Sequence, residues 1–285
     1  MPLYNAKKML TTARSEGFGV GSFNIFNMES AKAIIAAAEA ERAPVILQIW
    51  SGFEPQPGID TLGAIAIAEA KKAAVPVAVH LDHGETLAQV GSAVAAGYTS
   101  VMLDGSSLPL AENIAATKHV VDFCRTLPVT VEGEIGHVGG GEAGTSGDVT
   151  ALTDPDEALH FYKETGVDFV AVSIGTAHGS YENPPILDIP LLRKIAAKLP
   201  APLVLHGSSY TPEDMLAEAV ANGICKVNVA TELGDTLIRA TAQQASEFAN
   251  AQYANQLTDT PYAAMSELVR HKIKLFGGSG KASAL

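Results

Sequence analysis

A short β-branched run followed by an alanine-rich helical stretch recurs eight times along the chain, and this repeat constrains the fold more than any other feature. The candidate strands are Gly21 to Ile25, Pro44 to Ile49, Pro76 to Leu81, Ser100 to Leu103, Pro128 to Glu132, Phe169 to Ser173, Pro202 to Leu205 and Cys225 to Val229. They are near-continuous apolar runs, as strands of a parallel sheet covered on both faces must be. Between them, Glu29 to Glu41, Asp60 to Ala73 and Pro212 to Asn222 show the apolar spacings of three and four that mark helices. Eight alternations over 285 residues fit an α/β fold of the (β/α)8 or TIM barrel type better than an open doubly wound sheet. The glycines of GFGVGSF, Gly17 to Phe23, precede a strand and do not open a helix, so they are no dinucleotide fingerprint. Nothing resembling a linker divides the chain. Residues 1–285 read as one barrel domain with an additional C-terminal helical segment from about Pro261 to Phe276. The terminal GGSGK lacks the first glycine and the Ser/Thr of a phosphate loop, with Leu275 and Ala282 at those positions.

Nineteen Lys and Arg against 31 Asp and Glu give a net charge of -12, which repels nucleic-acid backbones and anionic lipid surfaces. No apolar run approaches the roughly 20 residues of a membrane helix. The opening MPLYNAKKML has no signal-peptide core, and Cys124 and Cys225 form neither a CxxC pair nor a disulfide framework. A reducing cytoplasm is the expected compartment.

In a barrel, chemistry collects where the strands end, because the loops there open onto one face. The third strand ends in His80-Leu81-Asp82-His83-Gly84, the fourth in Asp104, and the fifth in Glu132-Gly133-Glu134. The sixth runs into Gly175-Thr176-Ala177-His178-Gly179, the seventh into His206-Gly207, and the eighth carries Asn228 before Ala230-Thr231. Six strands thus deliver polar side chains to one rim. His119, His160 and His271 fall in helical stretches and are expected at the surface; His80 and His137 are open. His83, His178 and His206 each precede a glycine on a different strand end, and three imidazoles gathered by the fold suit a catalytic Zn²⁺ with an open position. Asp104 and Glu134 then orient these ligands or form an alternative metal position. Asp82 is either an acid/base on the substrate side or the N-cap of the following helix. The loop from Gly136 to Thr150 is long and glycine-rich, with Glu142 its only carboxylate before Asp148; it reads as a closing loop or a plain surface loop. Gly179, Gly207-Ser208-Ser209 and Asn228 to Thr231 offer backbone N–H groups, hydroxyls and a helix N-terminus for a phosphate, which the rim needs in the absence of a basic cluster.

The blocks FNIFNME (Phe23 to Glu29), HLDHG (His80 to Gly84), SVMLDGSSLPLAENI (Ser100 to Ile114), VEGEIG (Val131 to Gly136), GTAHGSY (Gly175 to Tyr181), LVLHG (Leu203 to Gly207) and GICKVNVATEL (Gly223 to Leu233) run through nearly the whole chain in order. In these the chain resembles the class II, metal-dependent fructose-bisphosphate and tagatose-bisphosphate aldolases. The resemblance implies a lyase that reversibly cleaves a ketose (bis)phosphate, such as fructose or tagatose 1,6-bisphosphate, into dihydroxyacetone phosphate and an aldehyde. It implies zinc on His83, His178 and His206, with Asp104 and Glu134 near an alternate metal position. Asp82 would exchange the proton of the hydroxyl at the cleaved bond, and Glu142 that of the enolate carbon. Asn24, Gly179, Gly207, Ser209, Asn228, Ala230 and Thr231 would hold the phosphorylated ketone end. A monovalent cation (Na⁺ or K⁺) near the phosphate and a homodimer or homotetramer are also implied.

An aldol cleavage leaves charge on a ketone oxygen, which a Lewis acid stabilises without an imine; the competing Schiff-base chemistry would need Lys226. Three departures from the family pattern bear on substrate choice. Trp50 ends the second strand where relatives have Ser or Thr, Tyr210 stands where a glycine is usual, and Glu142 lacks its usual polar neighbours. The alternative function is a non-catalytic barrel subunit or sugar-phosphate-binding protein, which has no need of Asp82 beside a metal.

Overall fold

The computed structural model describes residues 3–140, 150–247 and 258–285. Eight parallel strands close in sequence order into a barrel, each paired with its neighbours and the eighth with the first. They are β1 (Val20–Asn24), β2 (Val45–Trp50), β3 (Val77–Gly84), β4 (Ser100–Leu103), β5 (Thr130–Ile135), β6 (Phe169–Val172), β7 (Leu203–Leu205) and β8 (Ile224–Val229). Nearly every strand residue is buried, as the unbroken apolar runs require. The helices are α1 (Ala6–Glu16), α2 (Met28–Glu41), α3 (Ile59–Ala70), α4 (Leu87–Ala96), α5 (Leu110–Cys124), α6 (Pro155–Thr165), α7 (Ile189–Lys198), α8 (Glu213–Ala221), α9 (Thr231–Glu247) and α10 (Asp259–Leu275). The repeat in the sequence is therefore the barrel, and the C-terminal segment is α10, which packs on α2 and α9.

Local chemistry sets the helix starts. Asn27 and Ser30 form a reciprocal capping box on α2, and Asp154 caps α6 just before Pro155. Thr86, not Asp82, caps α4, so the capping alternative for Asp82 falls away.

The barrel interior has two halves. Toward the amino ends of the strands, Val20, Ile46, Ala78, Phe169, Ala171 and Val204 pack with Met9, Leu10 and Ala13 of α1, which closes that end. Burial of each large apolar side chain there contributes roughly 1.5–3 kcal/mol. Toward the carboxyl ends the interior turns polar. Asn24, Gln48, His80, Asp82, Glu132, Glu134, Lys226 and Asn228 are all buried.

Candidate active site

Strand alternation would send Asp82 and His83 to opposite faces of the sheet. A register shift between Leu81 and Gly84 on the β4 side interrupts that alternation, with His83 at φ 49°. A bulge of this kind re-aims a side chain, and here both neighbours serve the interior. Gly84 is required at the bulge, because a Cβ there would lie 2.4 Å from the carbonyl oxygen of Met102. Gly207, at φ 65°, is confined likewise, with a Cβ position 2.4 Å from the Ala177 carbonyl oxygen. Its bareness lets the loops after β6 and β7 touch, and the Tyr181 hydroxyl joins them by accepting from Ala177 N–H at 2.7 Å and donating to the Gly207 carbonyl at 2.7 Å.

These devices gather His83, His178 and His206 at the carboxyl rim. One ligand nitrogen from each lies within 4.8 Å of the other two, and His83, Asp104 and Glu134 form a second such group. The carboxylates fix the rings. His83 Nδ1 donates to Asp104 Oδ2 at 2.7 Å and His206 Nε2 donates to Glu132 Oε1 at 2.7 Å. The remaining nitrogens, His83 Nε2 and His206 Nδ1, face each other at 2.8 Å. Burial opposes charge on His83, but Asp82 and Asp104 prevail and hold its pKa well above the ordinary histidine value. Burial and the neighbouring His83 and Lys226 charges hold His206 well below it. The two facing nitrogens are a place where a divalent cation would take the position of a shared proton. Burial, followed by the charge of Asp104, pushes Glu134 up to about 8, and its Oε2 is buried without a hydrogen-bond partner. Three imidazoles, two of them braced by carboxylates, with an unsatisfied carboxyl oxygen beside them, are a donor set that fits zinc.

Asp82 is fully buried, accepting from Gln48 Nε2 at 3.2 Å and Asn228 Nδ2 at 3.1 Å, with Oδ1 3.9 Å from His83 Nε2. Asn24 lies beside it through a hydrogen bond from Gln48. Gly179, Gly207, Ser208, Ser209, Asn228, Ala230 and Thr231 line one small cavity with His178, where α9 begins. Glu142 lies outside the described residues. A larger cavity of about 440 Å³ opens on the other side of the histidines, lined by Trp50, His83, Glu85, Asp104, Ser106, Ser107, Leu108, His137, Val138, Gly140 and His178. Trp50 stands edge-on to Phe53 in its wall, with ring centroids 5.5 Å apart. Tyr210 does adopt the left-handed backbone, at φ 60°, and its hydroxyl donates to Asp235.

Beneath the site runs a buried network that the sequence reading did not assemble. Lys226 Nζ donates to Glu132 Oε2 at 2.9 Å, Glu132 also receives His206, and His80 Nδ1 pairs with Ser100 Oγ at 2.8 Å. Lys226 is thus held under His206 by an ion pair, which sets it apart from a free amine awaiting a ketone. The signal was a polar residue every second position, as in His80/Asp82, Glu132/Glu134 and Lys226/Asn228, inside otherwise apolar strands. His119, His160 and His271 are exposed, as expected, and His137 pairs with Ser106 Oγ at 2.8 Å. Among the described residues, no helix is long and apolar enough to cross a membrane.

Residues 4–281 match the family described as fructose-bisphosphate aldolase class-II. The YdjI aldolase from Escherichia coli K12 is 33% identical and superposes with a TM-score of 0.88, over 98% of this chain and 99% of that one. A fructose-bisphosphate aldolase from Campylobacter jejuni, 20% identical, shares the fold with a TM-score of 0.81 over 98% of this chain and 97% of its own. With a match across nearly its whole length, on a closed barrel that gathers the expected histidines at its carboxyl rim, the chain belongs to the class II fructose-bisphosphate aldolase family.

Proposed function

We propose that the protein is a zinc-dependent lyase that reversibly splits a ketose phosphate into dihydroxyacetone phosphate and an aldehyde. The observation that carries this reading is the convergence of His83, His178 and His206 within 4.8 Å of one another, beside the buried carboxylate of Asp82. Zinc held by the three histidines would supply Lewis-acid stabilisation of the negative charge that appears on the ketone oxygen. In the cleavage direction Asp82 takes the proton of the C4 hydroxyl. The electrons of the C3–C4 bond pass toward the ketone oxygen, the aldehyde departs, and Glu142 returns a proton to C3 to complete dihydroxyacetone phosphate. Gln48 and Asn228, which both donate to Asp82, aim its carboxylate. Asp104 and Glu132 hold His83 and His206 in the tautomers a metal requires.

The phosphate of the ketone end suits the small cavity at Gly179, Gly207, Ser209, Ala230 and Thr231. Backbone N–H groups and hydroxyls there, at the start of α9, bind an anion without a lysine or arginine. Chelation should abolish cleavage of ketose phosphates and added Zn²⁺ should restore it. Full activity after verified metal removal, with borohydride trapping of substrate on Lys226, would reject this reading.

A further inference from the structure

The placement of positive charge narrows the substrate class. None of the 19 Lys and Arg lies in any of the eight connections from a strand to the following helix, nor in the first turn of the helix each connection leads into. The described residues of those connections build the carboxyl rim, and they carry six Asp and Glu. The cations sit on later helical turns, at the amino side of the barrel and on the C-terminal segment, from which Lys272 reaches the first turn of α9 but is paired with Glu232 at 2.9 Å. Lys226, the single exception inside the barrel, is fully buried and neutralised by Glu132 at 2.9 Å. Arg239 on α9 acts electrostatically on Tyr210 but lines neither rim cavity.

The two rim cavities differ in what they can accept. The one at Gly179 and Ser209 is a nest of backbone groups at a helix start, which suits one phosphate. The one of about 440 Å³ beyond the histidines offers the carboxylates of Glu85 and Asp104, the hydroxyls of Ser106 and Ser107, His137, and the indole of Trp50. Hydroxyls and carboxylates hydrogen-bond sugar hydroxyls, and an indole covers their C–H faces. A phosphate dianion in the same space would face Glu85, and Asp104 already bonded to His83 at 2.7 Å, with no lysine or arginine in the lining to pair with it, and like-charge juxtaposition of this kind is a strong device for rejecting a ligand.

From this arrangement we infer that the substrates are ketose 1-phosphates whose aldehyde half is a hydroxylated chain carrying no second phosphate. The inference rests on the aldolase reading above and selects among its substrates. The test runs the zinc-loaded enzyme in the condensation direction, with dihydroxyacetone phosphate and two matched pairs of acceptors: glyceraldehyde against glyceraldehyde 3-phosphate, and erythrose against erythrose 4-phosphate. In both pairs the unphosphorylated acceptor should have the higher kcat/KM, by about tenfold or more per free aldehyde. A binding measurement without turnover should agree, with a hexitol 1-phosphate binding more tightly than the hexitol 1,6-bisphosphate. Leu108→Arg, on a side chain that is 43% exposed in the cavity wall, should move the acceptor ratio toward the phosphorylated members by about tenfold.

Equal use or preference of the phosphorylated acceptors overturns the inference, as does a Leu108→Arg variant whose ratio is unchanged. Solvent deuterium exchange into dihydroxyacetone phosphate, measured with no acceptor present, separates the two levels. Exchange with the wrong acceptor preference rejects the inference alone, whereas absence of both exchange and condensation rejects the aldolase reading and the inference with it.

Discussion

The two halves of the barrel interior lie within one ring of strands and differ in nearly everything else. At the amino end, Val20, Ile46, Ala78, Phe169, Ala171 and Val204 interlock under the plug of α1, and their only demand is volume. Two to four residues further along, β1, β2 and β3 bury Asn24, Gln48, His80 and Asp82 beside Glu132, Glu134, Lys226 and Asn228 of β5 and β8, where every polar atom demands a partner. The contrast teaches where a barrel keeps its stability and where it keeps its chemistry. The apolar half can lose contacts without touching the reaction, whereas the polar half holds charges whose arrangement is useful because it is confined.

The sharpest way to break this comparison is at the proposed metal ligands. His206→Ala should reduce zinc affinity by more than the roughly 10- to 100-fold that follows loss of an outer partner, measured by metal content after dialysis against fixed free zinc, and activity should fall with it. A variant that kept its zinc would move His206 from the metal set to the structural network.

Stability should separate the halves next. Lys226→Met leaves Glu132 charged and half-partnered in full burial, and should cost about 3–5 kcal/mol of unfolding free energy. Leu10→Ala in the plug should cost about 2–5 kcal/mol by leaving a cavity, yet kcat per folded molecule should stay at the wild-type value. Denaturant unfolding paired with turnover number checks both. If Leu10→Ala lowered kcat as well, the two halves would be mechanically coupled and the separation wrong.

Asp82→Asn tests chemistry without stability. The amide keeps the shape and the neighbours Gln48 and Asn228 but cannot accept the substrate's proton, so kcat should fall on the order of 10²-fold with zinc content unchanged. Equal metal loss in this variant and in His206→Ala would reassign Asp82 to ligation or structure.

The smallest effect is expected at the margin of the polar half. Trp50 walls the larger cavity and Tyr210 holds a left-handed turn next to Ser209 of the smaller one. Trp50→Ser with Tyr210→Gly should shift the ratio of kcat/KM between two ketose phosphates that differ in the aldehyde half by about tenfold, the range of one altered pocket contact. Tyr210→Gly also removes a backbone geometry that costs an L-residue roughly 1–2 kcal/mol, so the double variant should not be less stable through that turn. An unchanged ratio across a substrate panel would make both side chains neutral to specificity.

The strand and helix repeat, the closed barrel and the histidines at three strand ends were legible from the chain alone, because each is a local pattern. A buried parallel strand must be apolar along its length, and a barrel must present its strand ends on one face. The sequence also pointed to the small residues after the seventh strand and around the start of α9, which line one cavity. The linear pattern could not yield the pairing that decides what each polar residue does. His83 follows Asp82 and by alternation points away from it; only the bulge against β4, with Gly84 fitted under the Met102 carbonyl, brings both to one interior. Lys226 and Glu132 are 94 positions apart, and Asp82 reaches Asn228 across 146. Whether a buried lysine is a nucleophile or half of an ion pair depends on which carboxylate the closure of the barrel sets against it. Chain order fixes the class of side chain at each strand end by the demands of burial, while charge state and role follow from distances that exist only once the eighth strand has met the first.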